Sequence, residues 1–187
     1  MANRVTINPI TRLEGHGKIE IFLDDKGNVD DAYWQVVELR GFERFCIGRP
    51  AEEMPRITPN ICGVCPTPHN MASTKALDDL YSVEPTPAAK LVRQLHYNAF
   101  MVEDHYIHFF FLSAPDFVVG PDAPPAERNI LGVINKVGLD IGKQVIDIRK
   151  KCRDIIRLIG SKPPHPEGGL PGGVPRGITE EERKWIQ

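Results

Sequence analysis

The stretch of sequence that decides the fold is residues 126–161, AERNILGVINKVGLDIGKQVIDIRKKCRDIIRLIGS. Its apolar side chains recur at steps of three or four residues, the spacing that places them on one face of an α-helix. The members of this series are Ile130, Ile134, Val137, Ile141, Val145, Ile148, Cys152, Ile155 and Ile159. No proline interrupts the series, so it predicts one uninterrupted helix of about 50 Å.

Glycines interrupt the middle of this predicted helix at positions 132, 138 and 142. An exposed glycine weakens a helix interior by about 1 kcal/mol relative to alanine. Their presence therefore predicts that another helix or the core packs closely against the long helix at these positions.

Other helices are predicted on both sides of a proline-rich stretch. Residues 49–68 contain five prolines, so no regular structure is expected there until Thr67 and Pro68, which would cap and open a helix reaching Tyr81. Apolar periodicity predicts a further helix over residues 88–112. Residues 162–177, rich in proline and glycine, predict a loop or an ordered extended crossing. Thr179 and Glu182 then form a capping box that opens a short helix.

The amino-terminal residues have the pattern of a β-hairpin. Polar and apolar side chains roughly alternate over residues 17–23, residues 24–28 supply turn chemistry, and residues 32–39 form a second extended run. The expected fold class is therefore α+β, an amino-terminal antiparallel hairpin packed on a bundle of long helices. A length of 187 residues predicts one domain or a piece of one.

The amino-acid composition of the chain argues against several classes of function. The chain is 41% hydrophobic and 26% charged, with a formal charge of -2, which gives no reason to expect nucleic acid as a partner. No apolar run approaches the roughly 20 residues of a transmembrane helix, and residues 1–9 lack the pattern of a signal peptide. These features predict a soluble protein of the reducing cytoplasm, unprocessed at its start.

Cys62 and Cys65 form the chain's one C-x-x-C pair, and Gly63 lets this loop curl so that backbone amides approach a sulfur. The predicted helix start just after Cys65 favours a thiolate there. Structural zinc is an alternative, but beyond His69 the fourth ligand is not obvious. A thioredoxin-like pair is a further alternative, although no strands frame the cysteines as that fold requires. Cys46 and Cys152 are expected to be small buried residues.

Several motifs in order identify a resemblance to the large subunit of [NiFe] hydrogenases, in its cytosolic viologen-, F420- and NAD-reducing branch. They are Thr11-Arg12-Leu13-Glu14-Gly15-His16, Arg40-Gly41-Phe42-Glu43, Ile61-Cys62-Gly63-Val64-Cys65 with His69, the segment from His108 to Phe117, and the segment from His165 to Val174. The resemblance spans essentially the whole chain. It implies that residues 1–187 are the amino-terminal portion of a single large-subunit domain, in a native chain that continues beyond them.

The resemblance implies half of a metal site. In this family Cys62 would be a terminal nickel ligand, and Cys65 would bridge nickel to an iron that carries CO and cyanide. Soft thiolates suit both metals, and the implied reaction is reversible heterolytic cleavage of H2. The other half of the site is a second C-x-x-C near the family's carboxyl terminus, which this sequence does not contain. This chain alone is therefore expected to be inactive.

Three further residues match family positions. Glu14 would relay protons, Glu43 would bind magnesium or a similar hard cation, and His69 would hydrogen-bond a metal-bound sulfur. Each has a simpler interpretation: Glu14 and Glu43 as salt-bridged structural residues, and His69 as a solvent-facing residue at a helix start. The sequence also departs from the family at Asn60, where many members have arginine.

The remaining expectations concern partners and rival functions. The resemblance implies that an iron–sulfur small subunit accepts the electrons, with further flavin or iron–sulfur electron-transfer subunits. His96, His105 and His108 are interpreted as packing or interface residues. One rival is the non-catalytic relative in respiratory complex I, against which the intact cysteines argue. Another is a folding or interaction module, or a truncated fragment, that binds zinc adventitiously.

Overall fold

The computed structural model describes residues 3–38 and 40–187. Its backbone contacts divide the chain into two compact units, Met1–Gly41 and Phe42–Gln187, which we call the sheet unit and the helical unit. Each is described by itself. That the whole chain forms part of a single large-subunit domain stays a prediction.

The sheet unit contains three antiparallel strands in the order β1-β2-β3: β1 (Asn3–Ile7), β2 (Lys18–Leu23) and β3 (Val29–Gln35). The predicted hairpin is β2 and β3, and Asp24 closes its turn because its Oδ1 accepts 2.8 Å hydrogen bonds from the amides of Lys26 and Asn28. The α+β fold class is confirmed.

Two details of the sheet differ from the prediction. Strand β1 was not predicted, and it pairs along the free edge of β2, with Val5 opposite Ile21. Strand β3 begins three residues earlier than expected because Val29 pairs with Leu23, across an irregularity in β2. The predicted end at Leu39 lies outside the described residues.

Seven α-helices follow in the described part of the helical unit. They are α1 (Phe42–Cys46), α2 (Met54–Ile57), α3 (Pro66–Leu80), α4 (Pro87–Ile107), α5 (Ile130–Val137), α6 (Leu139–Gly160) and α7 (Glu180–Ile186). Short 3₁₀ turns occupy Ala51–Glu53 and Thr58–Ile61, and two π-helical segments occupy His108–Ser113 and Pro115–Val119. None of the helices in the described ranges has the combination of length and apolar character that spanning a membrane requires.

The prediction of one uninterrupted helix over residues 126–161 is wrong. The chain breaks into α5 and α6 at Gly138, whose φ of 89° lies in the region that favours glycine. The expected close packing is also wrong at Gly142, where an added Cβ would meet no atom within 4 Å. At Gly132 that Cβ would lie 1.9 Å from the backbone oxygen of Glu127 and 3.3 Å from Val119 Cγ2, so the tightest crowding comes from the preceding turn and a looser contact from the second π-helical segment.

The proline-rich stretch is more regular than predicted. Helix α2 and the two 3₁₀ turns lie within residues 51–61, because prolines are tolerated in a first helical turn, where no N–H partner is needed. Helix α3 begins at Pro66, so Cys65 and not Thr67 is its cap residue. Helix α4 ends at Ile107, short of the predicted Leu112, and continues as the first π-helical segment.

The core of the helical unit lies where α4 packs against α6. Ala99 and Phe100 of α4 contact Ile156 of α6, and all three are buried. One turn from this cluster, the buried Glu103 accepts hydrogen bonds from Arg149 and Arg153. This pairing compensates a carboxylate that would otherwise be buried alone.

Residues 162–177, which we call the crossing segment, form no helix or strand, as predicted. The segment is held by α3 and α4: Asn70 donates to the backbone oxygen of Pro166, and Arg93 donates to those of Leu170 and Gly173. Beyond it, the capping box of Thr179 and Glu182 opens α7, as predicted.

Candidate metal site

The C-x-x-C loop connects the 3₁₀ turn Thr58–Ile61 to α3. Cys62 ends the turn in an extended conformation, and Cys65 stands at the N-cap of α3. Both side chains are half-buried, and all four cysteines, each within the described ranges, are reduced thiols. The loop therefore presents two thiols at the amino-terminal end of a 15-residue helix.

The backbone of the loop turns toward the first sulfur. The amides of Val64 and Cys65 donate to Cys62 Sγ over 3.4 and 3.2 Å. Gly63 lies between Cys62 and Val64, and an added Cβ there would meet no atom within 4 Å, so crowding does not force this turn. Amide donors stabilise a sulfur that carries negative charge, which is the form that binds a metal. A pair of soft thiolates in this setting fits a nickel or iron ion.

His69 lies in the first turn of α3, four residues after Cys65, and its side chain is half-buried. A residue at this spacing faces the same side of the helix. Across residues 3–38 and 40–187, however, no group of three or more His, Cys, Asp or Glu side chains is placed to hold one metal ion. The alternative zinc set of Cys62, Cys65 and His69 is therefore not assembled there.

Glu43 lies in the first turn of α1, where its side chain is exposed. Cys46 ends the same helix and is half-buried, so the prediction that it is buried is wrong; α1 itself contains no buried residue. Cys152 is buried as predicted, and burial raises the pKa of its thiol.

Glu14 belongs to the sheet unit, on the exposed loop between β1 and β2. The loop is closed at its base because the amide of Ile10 donates to the backbone oxygen of Gly17 over 3.1 Å. Two residues near Glu14 have left-handed backbones: Arg12 with φ 61° and Gly15 with φ 81°. A non-glycine residue in this conformation is uncommon and is often found at functional sites.

The predicted packing role of the histidines holds for His96, which is 3% exposed. Burial lowers its pKa to about 4, and its Nε2 has no hydrogen-bond partner among the described residues. His105 and His108 are exposed and contact nearby groups of the chain, the Met101 backbone oxygen and the Ser113 hydroxyl.

No sequence pattern predicted the ion pair between Asp78 of α3 and Arg93 of α4, which we call the clasp. Arg93 Nη2 lies 3.1 Å from Asp78 Oδ1, which also accepts a 2.7 Å hydrogen bond from the amide of Gly172. The hydrogen bond from Arg93 holds the pKa of Asp78 below its usual value. The two side chains are 15 residues apart in sequence, beyond the reach of helical periodicity, so no sequence pattern pointed to them.

Comparison with known proteins places these features in a family. Residues 4–39 match a family model described as HoxL-like, and residues 40–129 match one described as nickel-dependent hydrogenase. The chain is 55% identical to an F420-non-reducing hydrogenase iron-sulfur subunit of Archaeoglobus profundus, over 98% of this chain and 38% of that protein. It is 51% identical to a vhu subunit of the F420-non-reducing hydrogenase of Methanocaldococcus jannaschii, over 96% of this chain and 43% of that one.

A solved structure gives the same result. The crystal structure of an NAD⁺-reducing [NiFe]-hydrogenase in the H2-reduced state superposes with a TM-score of 0.86 at 38% identity, covering 100% of this chain and 42% of that one. The chain thus spans about two fifths of the length of the proteins it matches. It belongs to the nickel-dependent hydrogenase family, as an amino-terminal part of the [NiFe] large subunit.

Proposed function

We propose that Cys62 and Cys65 supply two thiolate ligands of a nickel–iron centre in a subunit that catalyses reversible heterolytic cleavage of H2. Cys62 is the proposed terminal nickel ligand, and Cys65 is the proposed bridge to an iron with CO and cyanide ligands. The observation that carries the proposal is the pair of amide hydrogen bonds to Cys62 Sγ, in a loop whose second cysteine occupies the N-cap position of α3. When bound, such a centre supplies the electron-pair acceptor for the reaction.

The chain's own residues supply the surroundings of that reaction. Amides of the loop stabilise negative charge on Cys62, and the amino terminus of α3 does so for Cys65. His69, half-buried in the first turn, is the proposed hydrogen-bond donor to a metal-bound sulfur. Glu14 is the proposed proton-transfer residue, and its exposed carboxyl suits exchange with water. Glu43 is a proposed ligand of magnesium or a similar hard cation.

Partners and location are part of the same proposal. The family membership supports an iron–sulfur small subunit that accepts electrons, with further flavin or iron–sulfur subunits beyond it. The F420-non-reducing hydrogenase relatives are named as subunits, which supports an assembly of several chains. A cytoplasmic location remains the prediction. The remaining thiolates must come from outside these 187 residues, since no second C-x-x-C occurs in them.

The experiment is metal analysis combined with infrared spectroscopy of the full-length subunit, purified with its partners. We expect nickel and iron, with bands of iron-bound CO and cyanide, in the wild-type protein. Cys62→Ser and Cys65→Ser should each lose most of the nickel, because a hydroxyl is a poor ligand for soft metals. Cys46→Ser is the matched control, since it makes the same change outside the loop and should keep the metals.

Two outcomes would overturn the proposal. One is that the wild-type subunit holds zinc alone and shows no CO or cyanide bands, which would favour an interaction module. The other is that both loop variants retain nickel and the infrared bands at the level of Cys46→Ser.

A further inference from the structure

Asn70 is a buried polar residue next to the metal site with no role in the function proposed above. It lies in α3 and is only 2% exposed, and its side-chain amide makes two long-range hydrogen bonds. Nδ2 donates to the backbone oxygen of Pro55 over 2.7 Å and to that of Pro166 over 3.3 Å. Both hydrogens of the amide are therefore used, each on a different segment.

The bond to Pro55 joins the segments on either side of the cysteine loop, and the bond to Pro166 joins α3 to the crossing segment. Pro55 lies in α2, which leads through the 3₁₀ turn into Cys62, whereas Asn70 lies in α3, which leads away from Cys65. A second tie supports the first, because Thr58 Oγ1 lies 3.1 Å from the backbone oxygen of His69 and 3.0 Å from Ser73 Oγ. The ends of the four-residue loop are thus fixed relative to each other by side chains outside it.

The crossing segment packs against the two helices, α2 and α3, that Asn70 connects. An added Cβ at Gly169 would lie 2.3 Å from Pro55 Cβ and 2.4 Å from Thr74 Oγ1, so the segment packs directly on α2 and α3. Further along, the Asp78 and Arg93 clasp holds Leu170, Gly172 and Gly173. Pro166, the second acceptor of Asn70, therefore belongs to a segment that is itself anchored.

We propose that Asn70 is a positioning residue that sets the separation of Cys62 and Cys65 by tying α2 and the crossing segment to α3. A metal ion shared by two thiolates requires both sulfurs at bonding distance together, so a shift of α3 against α2 would separate them. This inference rests on the proposed function, because the spacing of the two thiols matters only if both of them bind the same metal centre.

The test measures the spacing of the thiols without any metal. The full-length subunit, prepared metal-free, is treated with phenylarsine oxide, whose arsenic bonds two thiols at once with release of water. Bridging is followed by mass spectrometry of the tryptic peptide 57–75, which contains Cys62 and Cys65 and no other cysteine. Alkylation of the same peptide by iodoacetamide reports thiol exposure separately, because that reagent needs only one sulfur.

Asn70→Asp keeps the size of the side chain but replaces the donor with a carboxylate that repels both carbonyl oxygens. We expect its ratio of bridging rate to alkylation rate to fall about tenfold, since small displacements strongly affect reactions that need two groups in place. Thr74→Val is the matched control: it is buried in the same helix, and its hydroxyl bonds to Asn70 O within α3. Its ratio should stay within about twofold of the wild-type ratio.

Thr58→Val, which cuts the second tie, covers the case in which Asn70→Asp does not fold, and its ratio should also fall. An unchanged ratio in every folded variant would overturn the positioning role, whatever the metal analysis shows. Conversely, nickel and the infrared bands retained in both Cys62→Ser and Cys65→Ser would overturn the proposed function, while the bridging ratios would still report whether Asn70 sets the spacing.

Discussion

The Cys62–Cys65 loop and the loop that carries Glu14 are both motif loops, but they are held in different ways. The cysteine loop is flanked by helices that buried side chains tie together, among them Asn70. The Glu14 loop is closed at its base by a backbone hydrogen bond, from Ile10 to Gly17, and most of its residues are exposed. The helices that flank the cysteine loop are thus connected by long-range side-chain contacts, whereas the Glu14 loop is closed by a local backbone contact.

The largest loss of stability is expected when the clasp of Asp78 and Arg93, which binds the crossing segment, is broken. Arg93→Met leaves the Asp78 carboxylate, whose side chain is 13% exposed, without its cation, and also removes the donor to Leu170 and Gly173. Breaking a buried ion pair in this way costs about 3–5 kcal/mol of unfolding free energy. Urea unfolding of the full-length subunit measures the loss.

Lys90→Met is the control for this prediction, because Lys90 on the same helix pairs with Glu84 at an exposed position. Exposed ion pairs contribute about 0.2–1 kcal/mol, so this variant should unfold nearly as the wild type does. Equal losses in the two variants would mean that the clasp does not anchor the crossing segment.

The variants Gly169→Ala and Gly17→Ala compare packing beside α2 and α3 with packing at the base of the Glu14 loop. At Gly169 the new Cβ meets the rigid ring of Pro55, and we expect a loss of about 3 kcal/mol. At Gly17 the new Cβ would lie 2.9 Å from Ile10 Cδ1 and 3.0 Å from Leu13 Cδ2, the ends of flexible side chains. A loss of about 1 kcal/mol is expected there. Urea unfolding of both variants measures the difference, and a larger loss at Gly17 would reverse the comparison.

A smaller effect on stability is expected from protonation of His96, which packs against Gly160, the last residue of α6. Its pKa in the folded chain is about 4, below the ordinary value of 6.5, so the folded state favours the neutral ring. Below pH 6.5 the unfolded chain binds a proton that the folded chain does not, and stability falls as the pH approaches 4. The expected loss between pH 7.5 and pH 5 is about 2 kcal/mol.

His96→Gln isolates this contribution, because glutamine does not titrate. Comparing urea unfolding of the two proteins at about pH 7.5 and about pH 5 should show a weaker pH dependence in the variant. Asp78 does not contribute to the pH dependence between about pH 5 and about pH 7.5. Its lowered pKa adds stability that is lost only below about pH 3.8, outside this window. An identical pH dependence in both proteins would show that the His96 ring accepts a proton without cost.

Several features could be predicted from the sequence because their physical cause lies within a few residues. The Asp24 turn, the capping box of Thr179 and Glu182, and the placement of Cys65 at a helix start depend on side chains that bond to their own neighbourhood. The motifs around Cys62 and Cys65 likewise identified the family, since their order along the chain is itself sequence information.

Other features were decided by the tertiary structure alone. The break at Gly138 was missed because apolar periodicity continues through it, and only the left-handed backbone shows that the chain turns. The edge strand β1 depends on a partner strand that offers its hydrogen-bonding edge. Asn70 lies 96 residues from Pro166, and Arg93 lies 80 from Gly173, distances at which no local pattern carries information.

The sequence by itself therefore determined the candidate metal ligands, because thiol chemistry and C-x-x-C spacing are local properties of Cys62 and Cys65. Only the tertiary structure decided how the segments around those thiols are connected, because buried hydrogen bonds from Asn70 and Arg93 form between segments that meet only in the folded chain. Burial gives those bonds their value, since a buried polar group without a partner costs far more than an exposed one.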